Sequence, residues 1–275
     1  MTPTFDAHVH LWERQWEDYI VGTGRSGRLD QLALLRALME RHGIQRACLI
    51  GGCDASHPNN NEFIARICRE HADRFVMLSE IPLHAKNRDE LLDKTLTAWP
   101  ARGFRCPVPL QATPDEWQTS SFDRFWQKVN DASLCVALNA QPSQLARLGP
   151  LIAAYQRITW LIDHMGRPRH DMSAPDFRPV LELAGFDRVY VKVSGFYGFT
   201  QDTAEYPYCD LHRFVIALRD AYGSRRLLWG SDVPPVLDFS SYTQTFRCLH
   251  HIPGLTSCDL EWILGRTAEE LFHAA

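Results

Sequence analysis

Apolar residues fall in short unbroken runs along this chain, and the runs recur at near-regular intervals. Eight stand out: TFDAHV (4–9), ACLIGG (47–52), FVMLSEI (75–81), GFRCPV (103–108), LCVALNA (134–140), ITWLIDHM (158–165), VYVKVSG (189–195) and LLWGSD (227–232). They are rich in β-branched and aromatic residues, which predicts strands. Their apolar character is continuous rather than alternating, as expected where both faces of a parallel sheet are covered.

Helical spacing fills the intervals. Asp30 is placed to cap LDQLALLRALMERH, and Gly43 stands where that helix should stop. Asn60 or Asn61 is placed to cap EFIARICREH. Further helices are expected in NRDELLDKTLTAW, SFDRFWQKVN, PSQLARLGPLIAAY, DFRPVLELAG, CDLHRFVIALRDAYG and SSYTQTFRCLH, with a last one near TAEELF. Strands alternating with helices over 275 residues predict a (β/α)8 TIM barrel, one domain spanning 1–275. An open doubly wound sheet is the alternative. It is disfavoured because no GxGxxG follows the first strand.

Composition narrows the class. A hydrophobic content of 45% can build a sizeable core. Lys+Arg 29 against Asp+Glu 33 gives a formal charge of −4, which asks for neither nucleic acid nor an anionic membrane as partner. The eight cysteines are scattered without CxxC and read as reduced thiols. MTPTFDAHVH shows no signal-peptide pattern, and no apolar run approaches a membrane span. The expectation is a soluble, cytoplasmic protein. Self-association into a homo-oligomer stays open. The stretch 14–28, RQWEDYIVGTGRSGR, is expected to be a lid or a subunit contact.

In a barrel of this type the chemistry sits at the C-terminal ends of the strands. There the first strand delivers His8 and His10, two residues apart and so on one face. The fourth delivers Arg105, the fifth Asn139 and Gln141, the sixth His164 with Arg167 nearby, and the eighth Asp232. Three histidines and a carboxylate, far apart in sequence, thus face one mouth. Trp12 is expected to wall it. Asp6 and Asp163 are expected to point away, Ser194 to be a small packing residue, and His57, His84, His170, His212 and the His250–His251 pair to be solvated.

The segments DAHVHLW, DHMGRP, VKVSGFY, LLWGSDVPP and ILGRTAEELF resemble the amidohydrolase superfamily, over nearly the whole chain. Within it the chain is most similar to the amidohydrolase-related branch, which holds pyrone-dicarboxylate and sugar lactonases and borders the decarboxylases. The resemblance implies that His8, His10, His164 and Asp232 match that family's site. Arg105 and Asn139 stand where metal-dependent members carry a histidine, a bridging acid or a lysine. A binuclear centre is therefore not expected. Either one divalent ion, Zn²⁺ or Mn²⁺, is held by His8, His10 and Asp232, or the site works without metal.

The implied reaction is ring opening of a small lactone. Asp232 would activate water while His8, His10 and His164 polarise the carbonyl. Arg105, with a planar fork that suits a carboxylate, points to a carboxylated substrate, with Asn139, Arg167 and Trp12 as further contacts. A decarboxylase and a lactone isomerase on the same scaffold are the alternatives.

Overall fold

Eight parallel strands run in sequence order around a barrel. The structure, a computed structural model, describes residues 3–13 and 31–273. The strands are β1 (Phe5–Val9), β2 (Arg46–Ile50), β3 (Phe75–Glu80), β4 (Ala101–Pro107), β5 (Cys135–Asn139), β6 (Thr159–Ile162), β7 (Val189–Val193) and β8 (Leu227–Trp229). Six lie wholly within the runs that the hydrophobic pattern marked, while β2 begins one residue and β4 two residues before theirs. The helices are α1 (Gln31–His42), α2 (Asn60–Glu70), α3 (Arg88–Thr97), α4 (Asp123–Asp131), α5 (Pro142–Leu145), α6 (Gly149–Ala154), α7 (Ala174–Glu182), α8 (His212–Tyr222), α9 (Tyr242–Arg247), α10 (Ser257–Glu261) and α11 (Thr267–His273).

Two helix expectations need correction. PSQLARLGPLIAAY breaks into α5 and α6, because Pro150 cannot donate a backbone hydrogen bond inside a continuous helix. Neither Asn60 nor Asn61 caps α2; Asn59 occupies that position and makes no side-chain capping bond. The two amides instead lace together the loops after β1, β2 and β3. Asn60 Nδ2 donates to Leu11 O (2.7 Å) and its Oδ1 accepts from Gly52 N (2.9 Å). Asn61 bridges both backbone groups of Glu80. Asp30 and the stretch 14–28 lie outside the described residues.

The strands divide their side chains between two layers. Phe5, Ala7, Cys48, Leu78, Ala137 and Leu161 belong to a compact cluster that fills the barrel axis. Phe272 of α11 stacks on Phe5 at one end of it. A larger cluster joins the outer strand faces to the helices. In β1 the pairing register slips by one residue between Asp6 and Val9, a β-bulge. Simple alternation would put Asp6 and His8 on the same face. The bulge separates them, so Asp6 meets Tyr242 of α9 while His8 and His10 turn into the barrel.

The seam between β1 and β8 is closed just beyond the short β8. Asp232 N donates to His8 O (2.9 Å), and His10 N donates to Val233 O (2.7 Å). This closure carries Asp232 to the side of both histidines. Among the described residues no helix is long and apolar enough to cross a membrane. None of the eight cysteines is paired.

Candidate active site

The C-terminal end of the barrel opens into a cleft of about 340 Å³, walled in part by His10, Trp12, Arg105, His164, Tyr197 and Asp232. This is of the size that holds a small ligand. His8 Nε2 lies 3.1 Å from His10 Nε2, 3.6 Å from Asp232 Oδ1, and His10 Nε2 lies 3.8 Å from the same oxygen. His164 Nε2 is 3.9 Å from Asp232 Oδ2. The four residues that the strand-end reading selected thus converge, and all are buried.

The backbone here is held in unusual conformations. Asp232 has φ 61°, His164 φ 51°, Met165 φ 57° and Arg167 φ 60°, all left-handed and none of them glycine. Each such residue costs of order 1–3 kcal/mol, and such strain gathers at functional sites. In DHMGRP the left-handed path continues through Gly166 (φ 72°), where a Cβ would come within 2.8 Å of Val180. That turn aims His164 at Asp232.

Beneath these four lies a charged layer, of which strand-end positions alone point to neither Lys192 nor Glu80. Lys192 of β7, fully buried, sits 3.0 Å from Asp163 Oδ1 and 3.3 Å from His8 Nδ1. Arg105 Nε donates to Asp163 Oδ2 (3.0 Å), and its Nη1 reaches Glu80 Oε2 (3.4 Å). The expectation that Asp163 points away is therefore corrected. It is inward like Leu161, two residues before it, and holds two cations at once. Ser194 is more than a packing residue, for its Oγ lies 2.9 Å from His164 Nδ1. Tyr197, also missed, donates its hydroxyl to Asp232 Oδ2 (2.7 Å) and stacks on the half-exposed Phe239. A lysine within the apolar run VYVKVSG was the available signal, since a buried lysine needs a partner.

Arg105 is not at the rim. Its side chain is 11% exposed, wedged between two carboxylates. Trp12 does wall the cleft, stacking on His10 and donating to Gly52 O (2.8 Å). Asn139 ends β5 and Arg167 lies over the Phe199 ring; neither is among the described residues lining the cleft. His212 is buried rather than solvated, bonded to Pro207 O.

Electrostatics follow from burial. Desolvation, then the Lys192 charge, push His8 well below the usual imidazole range. Desolvation, then Arg105, lower His10 to about 3, and desolvation also lowers His164. All three rings are neutral near pH 7. Burial pushes the Glu80 carboxyl up to about 7, against the pull of Arg105. Burial would raise Asp163 as well, but Lys192, His8 and Arg105 hold it well below the usual carboxylate range. Burial, then the Asp232 charge, raise Tyr197, which keeps it a donor.

The nitrogens of His8 and His10 and one Asp232 oxygen also suit a single divalent ion. Ligand bonds of about 2.0–2.2 Å would span mutual distances of the order found here. The sequence as a whole decides the family. The amidohydrolase family profile matches residues 5–274.

The chain belongs to the amidohydrolase family.

This amidohydrolase is accordingly an enzyme, a hydrolase. It is 28% identical over 253 residues to an L-fucono-1,5-lactonase of Burkholderia ambifaria, covering 85% of this chain and 81% of that protein. Among solved structures it is similar to a probable 2-pyrone-4,6-dicarboxylic acid hydrolase of Acinetobacter baumannii with citric acid bound. That match has TM-score 0.77 and 21% identity, over 99% of this chain and 100% of the other. A Burkholderia multivorans amidohydrolase with bound zinc superposes with TM-score 0.78 at 20% identity, over 98% and 99% of the two chains. These two structures establish the fold.

Proposed function

We propose that this amidohydrolase opens a small lactone ring by hydrolysis. The observation that carries the reading is the buried Asp232 carboxylate, held in a left-handed backbone within 4 Å of three neutral imidazoles at the barrel mouth. The similarity to a lactonase over most of both chains supports the same reaction class.

Asp232 takes a proton from water as the water oxygen bonds to the lactone carbonyl carbon. The ring C–O bond then breaks, and the proton passes from Asp232 to the departing alkoxide oxygen. General acid–base help of this kind is typically worth about 10²–10⁴-fold. Tyr197 orients the carboxylate through its hydroxyl. His164, backed by Ser194, turns its Nε2 towards the cleft, where a protonated nitrogen stabilises the developing oxyanion. His10 plays a different part from the one expected of it. Its Nδ1 faces the Ile50 carbonyl at 3.0 Å and must donate there, so a neutral ring presents a bare Nε2. It accepts from His8 Nε2, and His164 remains as the donor to the carbonyl oxygen. Were a divalent ion present, His8, His10 and Asp232 would hold it, and it would supply Lewis-acid polarisation of water and of the lactone carbonyl.

The charge around the cleft favours an uncharged lactone over the carboxylated one expected from Arg105. Two of the three guanidinium nitrogens already face Asp163 and Glu80, and the walls also carry Asp54 and Asp232. A further carboxylate would enter a region where acidic groups outnumber Arg105 and Lys192.

The test is a panel of matched uncharged and carboxylated lactones, followed by acid release, with Asp232→Asn in parallel and chelator present or absent. Uncharged lactones should turn over, and Asp232→Asn should lose about 10²-fold or more in kcat. Faster opening of carboxylated lactones would reverse the substrate assignment. Release of CO₂ from aromatic acids, or acyl migration without hydrolysis, would replace the reaction.

A further inference from the structure

The hydrogens shared by His8 and His10 can be assigned from the two ends of their chain. At one end the Ile50 carbonyl can only accept, so His10 Nδ1 carries the hydrogen and Nε2 is bare. His8 Nε2, 3.1 Å away, must then be the donor of that contact. A neutral His8 with hydrogen on Nε2 has a bare Nδ1. At the other end, Lys192 Nζ approaches that Nδ1 at 3.3 Å, and an ammonium can only donate. One arrangement satisfies the whole chain: Lys192 to His8, His8 to His10, His10 to Ile50.

A divalent ion needs the opposite at His8. Its Nε2 must be bare, which moves the hydrogen to Nδ1 and sets it against the ammonium. Asp163 Oδ1, 3.6 Å from Nδ1, is the natural acceptor for that hydrogen. Lys192 already holds the same oxygen at 3.0 Å. Lys192 also brings a like charge beneath the site. We propose that Lys192 is a positioning residue that sets the tautomer of His8 and thereby weakens divalent metal binding by His8, His10 and Asp232. The inference holds whatever the substrate.

Two readouts test it, neither of them activity. On the full-length, chelator-treated protein labelled with ¹⁵N-histidine, His8 is assigned by its loss in His8→Gln. Its Nε2 should carry the hydrogen in the parent protein, and Nδ1 should carry it in Lys192→Met, where Asp163 becomes the acceptor. Equilibrium dialysis against Zn²⁺ with elemental analysis should give an affinity about tenfold or more higher for Lys192→Met. Should that variant fail to fold, Lys192→Met/Asp163→Asn removes both buried charges together and is expected to exceed the parent in affinity as well. A parent protein with hydrogen on Nδ1 overturns the proposal, as does unchanged zinc affinity. Tighter binding with an unmoved tautomer also overturns it, because the lysine would then act through charge alone.

Discussion

Single residues here owe their properties to what burial forces on them. Tyr197 illustrates this. Its hydroxyl has Asp232 Oδ2 as partner at 2.7 Å, and burial keeps it protonated. Tyr197→Phe leaves ring packing on Phe239 in place and removes one hydrogen bond to a carboxylate. Such bonds are worth about 1.5–3 kcal/mol, though water can recover part at a cleft. The expected result is a kcat about tenfold lower with KM little changed, read by steady-state kinetics on the lactone that proves active. An unchanged kcat would show that Asp232 needs no orientation from this side. The sequence marked His8, His10, His164 and Asp232 because they are reactive residue types at strand ends. It did not mark Asp163, Lys192 or Tyr197. A buried ion pair joins residues on different strands, and nothing in the spacing of either strand announces the other.

At the scale of elements, the site depends on how strand ends are joined. The bulge in β1 decides that His8 and His10 face inward and Asp6 outward. Asp6 then accepts from Ser231 N (2.8 Å) and the Tyr242 hydroxyl (2.9 Å), which ties the segment after β8 to β1 and α9. Gly230, directly after β8, permits the closest approach at this seam. A Cβ there would stand 2.5 Å from His8 Cβ. Gly230→Ala should therefore displace His8, lower stability by about 1–3 kcal/mol and reduce kcat well beyond what the stability loss explains. Chemical unfolding and kinetics on the folded fraction separate the two effects. Full activity in Gly230→Ala would mean that His8 has slack in this position. A hydrophobic pattern locates a strand but carries no mark for one extra residue within it, so the bulge was not legible.

For the whole molecule, burying so many titratable groups at one end of the barrel makes stability depend on pH. His8, His10 and His164 have folded pKa values depressed below 6.5. Below that pH the unfolded chain takes up protons that the fold refuses, so stability falls with falling pH. Glu80 and Asp6 act in the other sense. Their folded values are raised from 4.5 to about 7 and from 3.8 to about 6, so the fold keeps protons that the unfolded chain releases. They lower stability as pH rises through those ranges. With three lowered imidazoles against two raised carboxyls, the urea midpoint of the chelator-treated protein should climb from about pH 4.5 to pH 6.5. Glu80→Gln removes one opposing group and should steepen the climb. A midpoint that falls over this range would contradict the electrostatic account. The barrel itself was legible in the sequence, because covering a parallel sheet on both faces demands apolar runs separated by helices, and local composition records both. So was the gathering of His8, His10, His164 and Asp232 at one end of the barrel, since strand ends are local positions. Only the tertiary structure decided that Arg105 is neutralised by Asp163 and Glu80, that Lys192 stands under His8, and that the seam brings Asp232 beside it. Those are relations between strands distant in sequence, set by register, a bulge and barrel closure, and they exist only once the sheet has curled upon itself.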